Sequence, residues 1–199
     1  MTSPPFPSPT AESAARPAAC GLLPGAHYWQ ARQTDRMIVR LLFAPRNRIE
    51  VDIWWNRTGL HPDVQLEFGL YRDSVEFGSL TGNGYDAPHF HRLGFGTLAV
   101  NVAVLALKAT CPAKTVVQGV LSNTAEEQLA AAERLRLEDN RRAFWRRFGL
   151  EVMACGEPPQ DYLRGTVGRL RTVATGQVAG QFPRCVALNQ FVTEPPAGF

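Results

Sequence analysis

Cysteine is sparse and scattered in this chain. Cys20, Cys111, Cys155 and Cys185 lie far apart, with no CxxC pair and no zinc-ligand spacing. That pattern argues against a disulfide framework or a structural zinc site and predicts reduced thiols in a cytoplasmic protein. Long apolar runs are missing too: none approaches the ~18 residues needed to cross a bilayer. The start of the chain lacks a basic stretch followed by an apolar one, the mark of a secretory signal. No Gly-x-Ser-x-Gly elbow, Walker loop or HExxH run occurs. Excess charge is small, +3 from 21 basic and 18 acidic residues, so the sum neither demands nor excludes a nucleic-acid partner. At 199 residues, 45% of them hydrophobic, the chain suits one domain around one sizeable core.

The two ends read as tails. Residues 1–24 are rich in Pro, Ser and Ala and poor in large apolar side chains, so burial cannot offset their ordering entropy. Residues 193–199 (TEPPAGF) are similar. A single domain over 25–192 remains.

That domain opens with four β-rich runs. Met37–Phe43 and Arg48–Trp55 are joined by a turn-like APRN, and the second alternates Ile49, Val51, Ile53 and Trp55 with Glu50, Asp52 and Trp54. Period-two alternation marks a half-buried strand. Val64–Tyr71 and Ser74–Leu80 flank the short connection Arg72-Asp73, as a hairpin would. A helix over Gly94–Ala109 follows, apolar on nearly every face and therefore predicted to be buried against a sheet. Thr115–Leu121 reads as another strand. Thr124–Glu127 forms a capping box opening a helix that runs, continuously or in two pieces, to Phe148, with Gly149 as its C-cap. Leu150–Ala154, Tyr162–Ala174 and Pro183–Phe191 are predicted as further strands. The fold class is α+β.

Two segments stand out chemically. Pro88–Leu98 reads PHFHRLGFGTL, and Phe144–Leu150 reads FWRRFGL. Glycines one residue apart let backbone approach a bulky anion, and the free amides of a new helix turn point at it. The order loop, helix, strand, helix, strand, with these two blocks, resembles the GNAT superfamily of acetyl-CoA-dependent acyltransferases over roughly residues 65–155. That family's Gln/Arg-x-x-Gly-x-Gly/Ala loop falls here on His91, Arg92, Leu93, Gly94, Phe95 and Gly96. His91 stands where Gln or Arg is usual, and Arg92 is beside it. In the second block Trp145 stands where the family often has a Tyr serving as general acid, and Glu138 stands where it often has an Asn. The helix before that block is longer than usual by about three turns.

The resemblance implies a GNAT-like mixed, mostly antiparallel central sheet with helices on both faces. It implies acetyl-CoA bound through the loop His91–Thr97, and transfer of an acetyl or short acyl group directly to a primary amine without a covalent enzyme intermediate. The pantetheine arm would lie in a splay between the strand near Asp86 and Thr115–Leu121. The amine would enter from the side built by Arg48–Tyr71. Tyr85 and Asp86 are the nearest candidates for proton transfer, with Glu76 further back. A non-catalytic CoA-binding or protein-interaction module is the alternative, favoured by Trp145 and by the weak strand character of GNGYDAPHF. Arg134, Arg136, Arg141, Arg142, Arg146 and Arg147 crowd one helical region, which is either a solvated face or a contact for phosphates or RNA. His89-x-His91 lacks a third histidine downstream, so no metal site is expected.

Overall fold

The computed structural model describes residues 24–31, 37–45, 47–55, 61–82, 93–121, 130–155, 160–173, 177–178 and 182–196. Eight strands form one sheet: β1 (Gly25–Gln30), β2 (Met37–Ala44), β3 (Arg48–Trp55), β4 (Val64–Leu70), β5 (Ser74–Gly82), β6 (Val116–Leu121), β7 (Glu151–Cys155) and β8 (Gln160–Thr166). Their spatial order is β1-β2-β3-β4-β5-β6-β8-β7. All neighbours are antiparallel except β5 and β6, which run parallel and are linked by α1 (Phe95–Thr110). A second helix, α2 (Ala131–Arg146), links β6 to β7. A short pair, β9 (Gln177–Val178) with β10 (Phe182–Pro183), stands apart.

The alternation in β3 and β4 sorts their side chains between two faces. Ile49, Val51 and Ile53 pair with Phe68, Leu66 and Val64 across the β3–β4 ladder, and all six are buried. Each large apolar side chain taken out of water contributes about 1.5–3 kcal/mol. On α1, Leu98, Val100, Val102, Val104 and Leu107 are all fully buried, because the helix lies under the sheet and is covered again from below. Asn101 accounts for part of that cover. It is fully buried, donates to the carbonyls of Val173 and Arg184, and accepts from the Val173 amide. One polar side chain therefore ties two stretches of the C-terminal segment to α1. That segment ends against the free edge of β1, where Tyr28 and Val192 exchange backbone hydrogen bonds.

The sheet is mostly antiparallel as expected, but the helices do not lie on both faces. Phe95 of α1 packs on Trp55, and Trp145 of α2 packs on Phe77. The ladders place Trp55 and Phe77 on the same side of the sheet, with Phe68 between them. Both crossovers, β5-α1-β6 and β6-α2-β7, advance in the same direction across the sheet. The shared right-handed preference of such connections then puts both helices on one face. Among the described residues the opposite face carries no helix.

Three other expectations change. The strand predicted over Tyr162–Ala174 stops at Thr166, where a 3-10 turn, Val167–Arg169, takes over. Pro183–Phe191 is not an edge strand: only Phe182–Pro183 pairs, and Leu188–Gln190 is a 3-10 turn. Strand β1 was not foreseen. The capping box Thr124–Glu127 and the expected tail, apart from Pro24 and Thr193–Pro196, lie outside the described residues.

Candidate functional site

Among the described residues the one parallel seam is also the shortest ladder within the eight-stranded sheet. β5 and β6 pair from Ser74 with Val116 to Phe77 with Gly119, and no further. Beyond that point β5 stays with β4 as far as Gly82, and β6 stays with β8 as far as Leu121. The two strands thus part while each remains held by its other neighbour, and a wedge opens within the sheet.

A bulge lies at the same place. Leu66 pairs with Leu80 and Phe68 with Phe77, so Gly78 and Ser79 oppose the single residue Glu67. A bulge bends its strand and takes a residue out of the ladder. Glycine fits at 78 because an added Cβ would stand 3.2 Å from the Glu67 carbonyl oxygen.

The first turn of α1 stands at this opening. Gly94, its N-cap, has φ +99°, a left-handed conformation that favours glycine. The first intrahelical bond runs from the Leu98 amide to the Gly94 carbonyl, so the Gly96 and Thr97 amides precede the helical ladder. A Cβ on Gly96 would lie 3.8 Å from both Leu80, on β5 past the parting, and Phe144 of α2. The two sequence blocks, fifty residues apart, therefore meet at the mouth of the wedge.

The structure narrows the roles available to the predicted loop. Phe95 and Thr97 are buried, and Leu93 packs against the core, so these three can offer only backbone to a ligand. His91, Arg92, Tyr85 and Asp86 lie outside the described residues. Arg184, which sequence reasoning missed, sits at the turn: its guanidinium Nε is 2.9 Å from where a Gly94 Cβ would be. No local signal marks Arg184. The clue to it is the lone Asn101 in an apolar helix, which binds the Arg184 carbonyl.

Trp145 is buried, with its ring against Phe77, Phe144 and Phe148. It is a core residue. The arginines of α2 are partly spoken for: Arg142 donates to Asp161 at 2.8 Å and pairs with Glu138 and Asp139, and Arg136 pairs with Glu133. The Asp161 carboxylate pushes the Arg142 guanidinium upward, keeping it charged. Burial pushes the Cys111 and Cys185 thiols up, so neither is a ready thiolate nucleophile at neutral pH.

The helix-free face is polar over β2–β5. Arg40 donates twice to the buried Asp52, at 2.9 and 2.7 Å, and its guanidinium lies over the Trp54 ring. Burial pushes the Asp52 carboxyl up, and Arg40 lowers it without cancelling that effect. Arg48 holds Glu50 at 2.6 Å and reaches Glu67 at 3.5 Å. Beside them runs a groove of about 610 Å³ lined by Arg48, Glu67, Tyr71 and Glu76, with Gly69 and Gly78 on its floor. Among the described residues no group of three or more His, Cys, Asp or Glu side chains could hold a metal ion. Among the described residues no helix is long and apolar enough to cross a membrane. No protein-family model, curated protein or solved structure matches the chain.

Proposed function

We propose that the chain is an N-acyltransferase that moves an acetyl or short acyl group from acyl-CoA to a primary amine. The observation that carries this reading is the coincidence of three features at one point: the parting of β5 and β6, the bulge at Gly78–Ser79, and the glycine turn that opens α1. A pyrophosphate fits the turn chemically. Gly94 lets the backbone turn close to a ligand, the Gly96 and Thr97 amides head the positive end of α1, and Arg184 adds a full charge. The wedge offers an extended thiol arm a slot through the sheet, between the helix face and the polar face.

Acyl-CoA would supply an activated thioester carbonyl. The chain's part is to hold it where an amine can attack, to take the amine proton, and to donate to the developing oxyanion and leaving thiol. A backbone amide released from the ladder by the bulge is a fitting oxyanion donor. Tyr85 and Asp86 are the proposed proton carriers, and Trp145 is not one, being buried among aromatic rings. The same burial favours a second reading, a module that binds CoA without catalysis, because nothing titratable stands at that position. Ion pairing along α2 weighs against an RNA-binding face.

Release of free thiol from acetyl-CoA in the presence of an amine panel tests the proposal. Amine-dependent release supports catalysis. CoA binding without any release supports the silent module, and failure of both rejects the family reading.

A further inference from the structure

We infer that the end of the molecule where the β5–β6 seam is closed is a surface for single-stranded RNA, separate from the wedge. Backbone hydrogen bonds draw several segments together there. The Val116 amide donates to the Asp73 carbonyl, the Val167 amide to that of Thr115, the Gly168 amide to that of Ala113, and the Arg171 amide to that of Phe148. The last turn of α1, with Lys108, and the end of α2, with Arg146 and Arg147, run into the same surface. Arg72, Lys108, Lys114, Arg146 and Arg147 are exposed and have no ion-pair partner among the described residues. Arg171 donates to the Arg147 and Arg146 carbonyls, which leaves its charge uncompensated, and Arg169 pairs with Glu151.

Seven basic side chains thus share this end with two acidic ones, Asp73 and Glu151. The rest of the chain holds fourteen basic and sixteen acidic residues, although the whole carries +3. The basic excess of the protein therefore sits at one end. The C-termini of α1 and α2 lie there too, and each contributes about half a negative charge. That offsets roughly one of the five surplus charges and leaves the remainder for a polyanion. Earlier on α2 the pattern differs. Arg136 pairs with Glu133, and Arg142 with Glu138, Asp139 and Asp161. The ion pairing that occupies the side of the helix stops before its end.

Side-chain chemistry selects the polyanion. Five of the seven cations are arginines, whose planar forks meet phosphate oxygens two at a time. A lipid surface would ask for an amphipathic helix laid flat along the patch, and α1 and α2 present only their ends here. Tyr71, next to Arg72, is 42% exposed, and its ring rests on the backbone of Gly69. A supported, open ring beside cations is a stacking platform for an unpaired base. Unpaired bases between phosphates are offered chiefly by the loops and ends of RNA. The surface does not overlap the α1 turn: Ser74 and Val116 begin the seam, and the wedge opens past its other end, at Phe77 and Gly119.

The test is fluorescence anisotropy of a labelled oligouridine of about twelve nucleotides, titrated with the full chain at several salt concentrations. Saturable binding that weakens as salt rises is expected. Arg146→Gln/Arg147→Gln should weaken it by about tenfold or more and lower the salt slope by about two, at unchanged Tm. Arg134→Gln/Arg136→Gln removes the same charge from the acid-rich part of α2 and should change affinity by no more than about twofold. No saturable binding, or equal losses in the two variants, would overturn the inference. Equally tight binding of duplex DNA of the same length, or unchanged oligouridine affinity in Tyr71→Ala, would overturn the assignment to single strands. Displacement of the RNA by equimolar CoA would overturn it as well, since the surface would then be where the phosphates of CoA sit. Tighter binding to phosphatidylserine vesicles than to the RNA would assign the surface to a membrane instead. The inference does not rest on the acyltransferase reading, and a chain that binds the RNA but not CoA would sustain one and sink the other.

Discussion

The sheet has two unlike halves on either side of the β5–β6 seam. From β1 to β5 the ladders are long and antiparallel, eight residue pairs between β2 and β3 alone, and each strand follows its neighbour through a short connection. From β6 to β8 one connection, between β6 and β7, runs through α2, and the halves meet over only four residue pairs. Continuous ladders make a rigid wall, and a short parallel seam with a bulge beside it makes an opening. The second half also exposes Val116, Val120 and Met153, whereas the polar face of the first half buries Asp52 and Glu50. One half serves as frame, and the joint between halves is the proposed site.

The largest effect should come from the turn that starts the last strands. Gly149 has φ +87°, and a Cβ there would collide with the Arg169 carbonyl oxygen. Gly149→Ala should cost more than about 3 kcal/mol, since strain and a backbone clash add. Thermal denaturation reads this, and a near-wild-type Tm would show that the second half tolerates displacement. Asn101→Ala should follow closely. It removes three hydrogen bonds and strands an amide and two carbonyls under α1, a loss of about 3 kcal/mol. Hydrogen exchange should rise at Val173 while the β2–β4 ladders stay protected, and uniform loss of protection would merge the two regions into one unit.

Gly119→Ala addresses the seam itself. A Cβ there would stand 2.9 Å from the Phe77 carbonyl oxygen and 3.0 Å from its Cβ, at the last pair before the parting. Destabilisation of about 2 kcal/mol is expected, in the range for overpacking. An unchanged Tm would mean that the seam yields freely.

The smallest effect concerns Asp52 in the frame. Its carboxyl is raised above the ordinary 3.8 because burial outweighs the Arg40 contact. The folded chain therefore holds this proton more tightly than the unfolded chain does. The resulting contribution is full below pH 3.8 and is lost as pH rises through the raised value. Asp52→Asn cannot titrate. The Tm of the wild type relative to this variant should climb as pH is lowered from neutrality through that window. A gap that shrinks on acidification would mean that Arg40 stabilises the carboxylate by more than burial opposes it.

Much of the frame was legible because alternation reports directly on a two-faced sheet: β2 to β5 fall within one to two residues of the runs read from Met37, Arg48, Val64 and Ser74. The apolar α1 and the left-handed turn at Gly149 were legible for equally local reasons, although Gly149 is not the C-cap expected: α2 ends at Arg146 and Arg147 caps it, two residues earlier. Strand β1 was not, since GAHYWQ is short and carries little apolar alternation, although its ladder partner β2 is the next strand and Val192 adds only an isolated bridge. The common face of α1 and α2 follows from crossover handedness, which no single segment encodes. Gly94 and Gly96 were visible as a pair but not as unequal ones. Gly94 is held by its backbone angle and by Arg184, so a substitution there would disturb the fold as well as a ligand. Gly96 has ordinary van der Waals space around it and is the cleaner probe. Arg184 and the Tyr71 groove depend on contacts between distant segments and carry no sequence signal.

The joint-as-site account is tested most directly by calorimetric titration of CoA into the wild type and into Gly96→Glu, with Tm measured for both. The account predicts saturable binding to the wild type, lost by at least a hundredfold in the variant, at closely similar Tm. That loss corresponds to about 2.7 kcal/mol. No binding to the wild type, or equal affinity for two equally stable proteins, would contradict it.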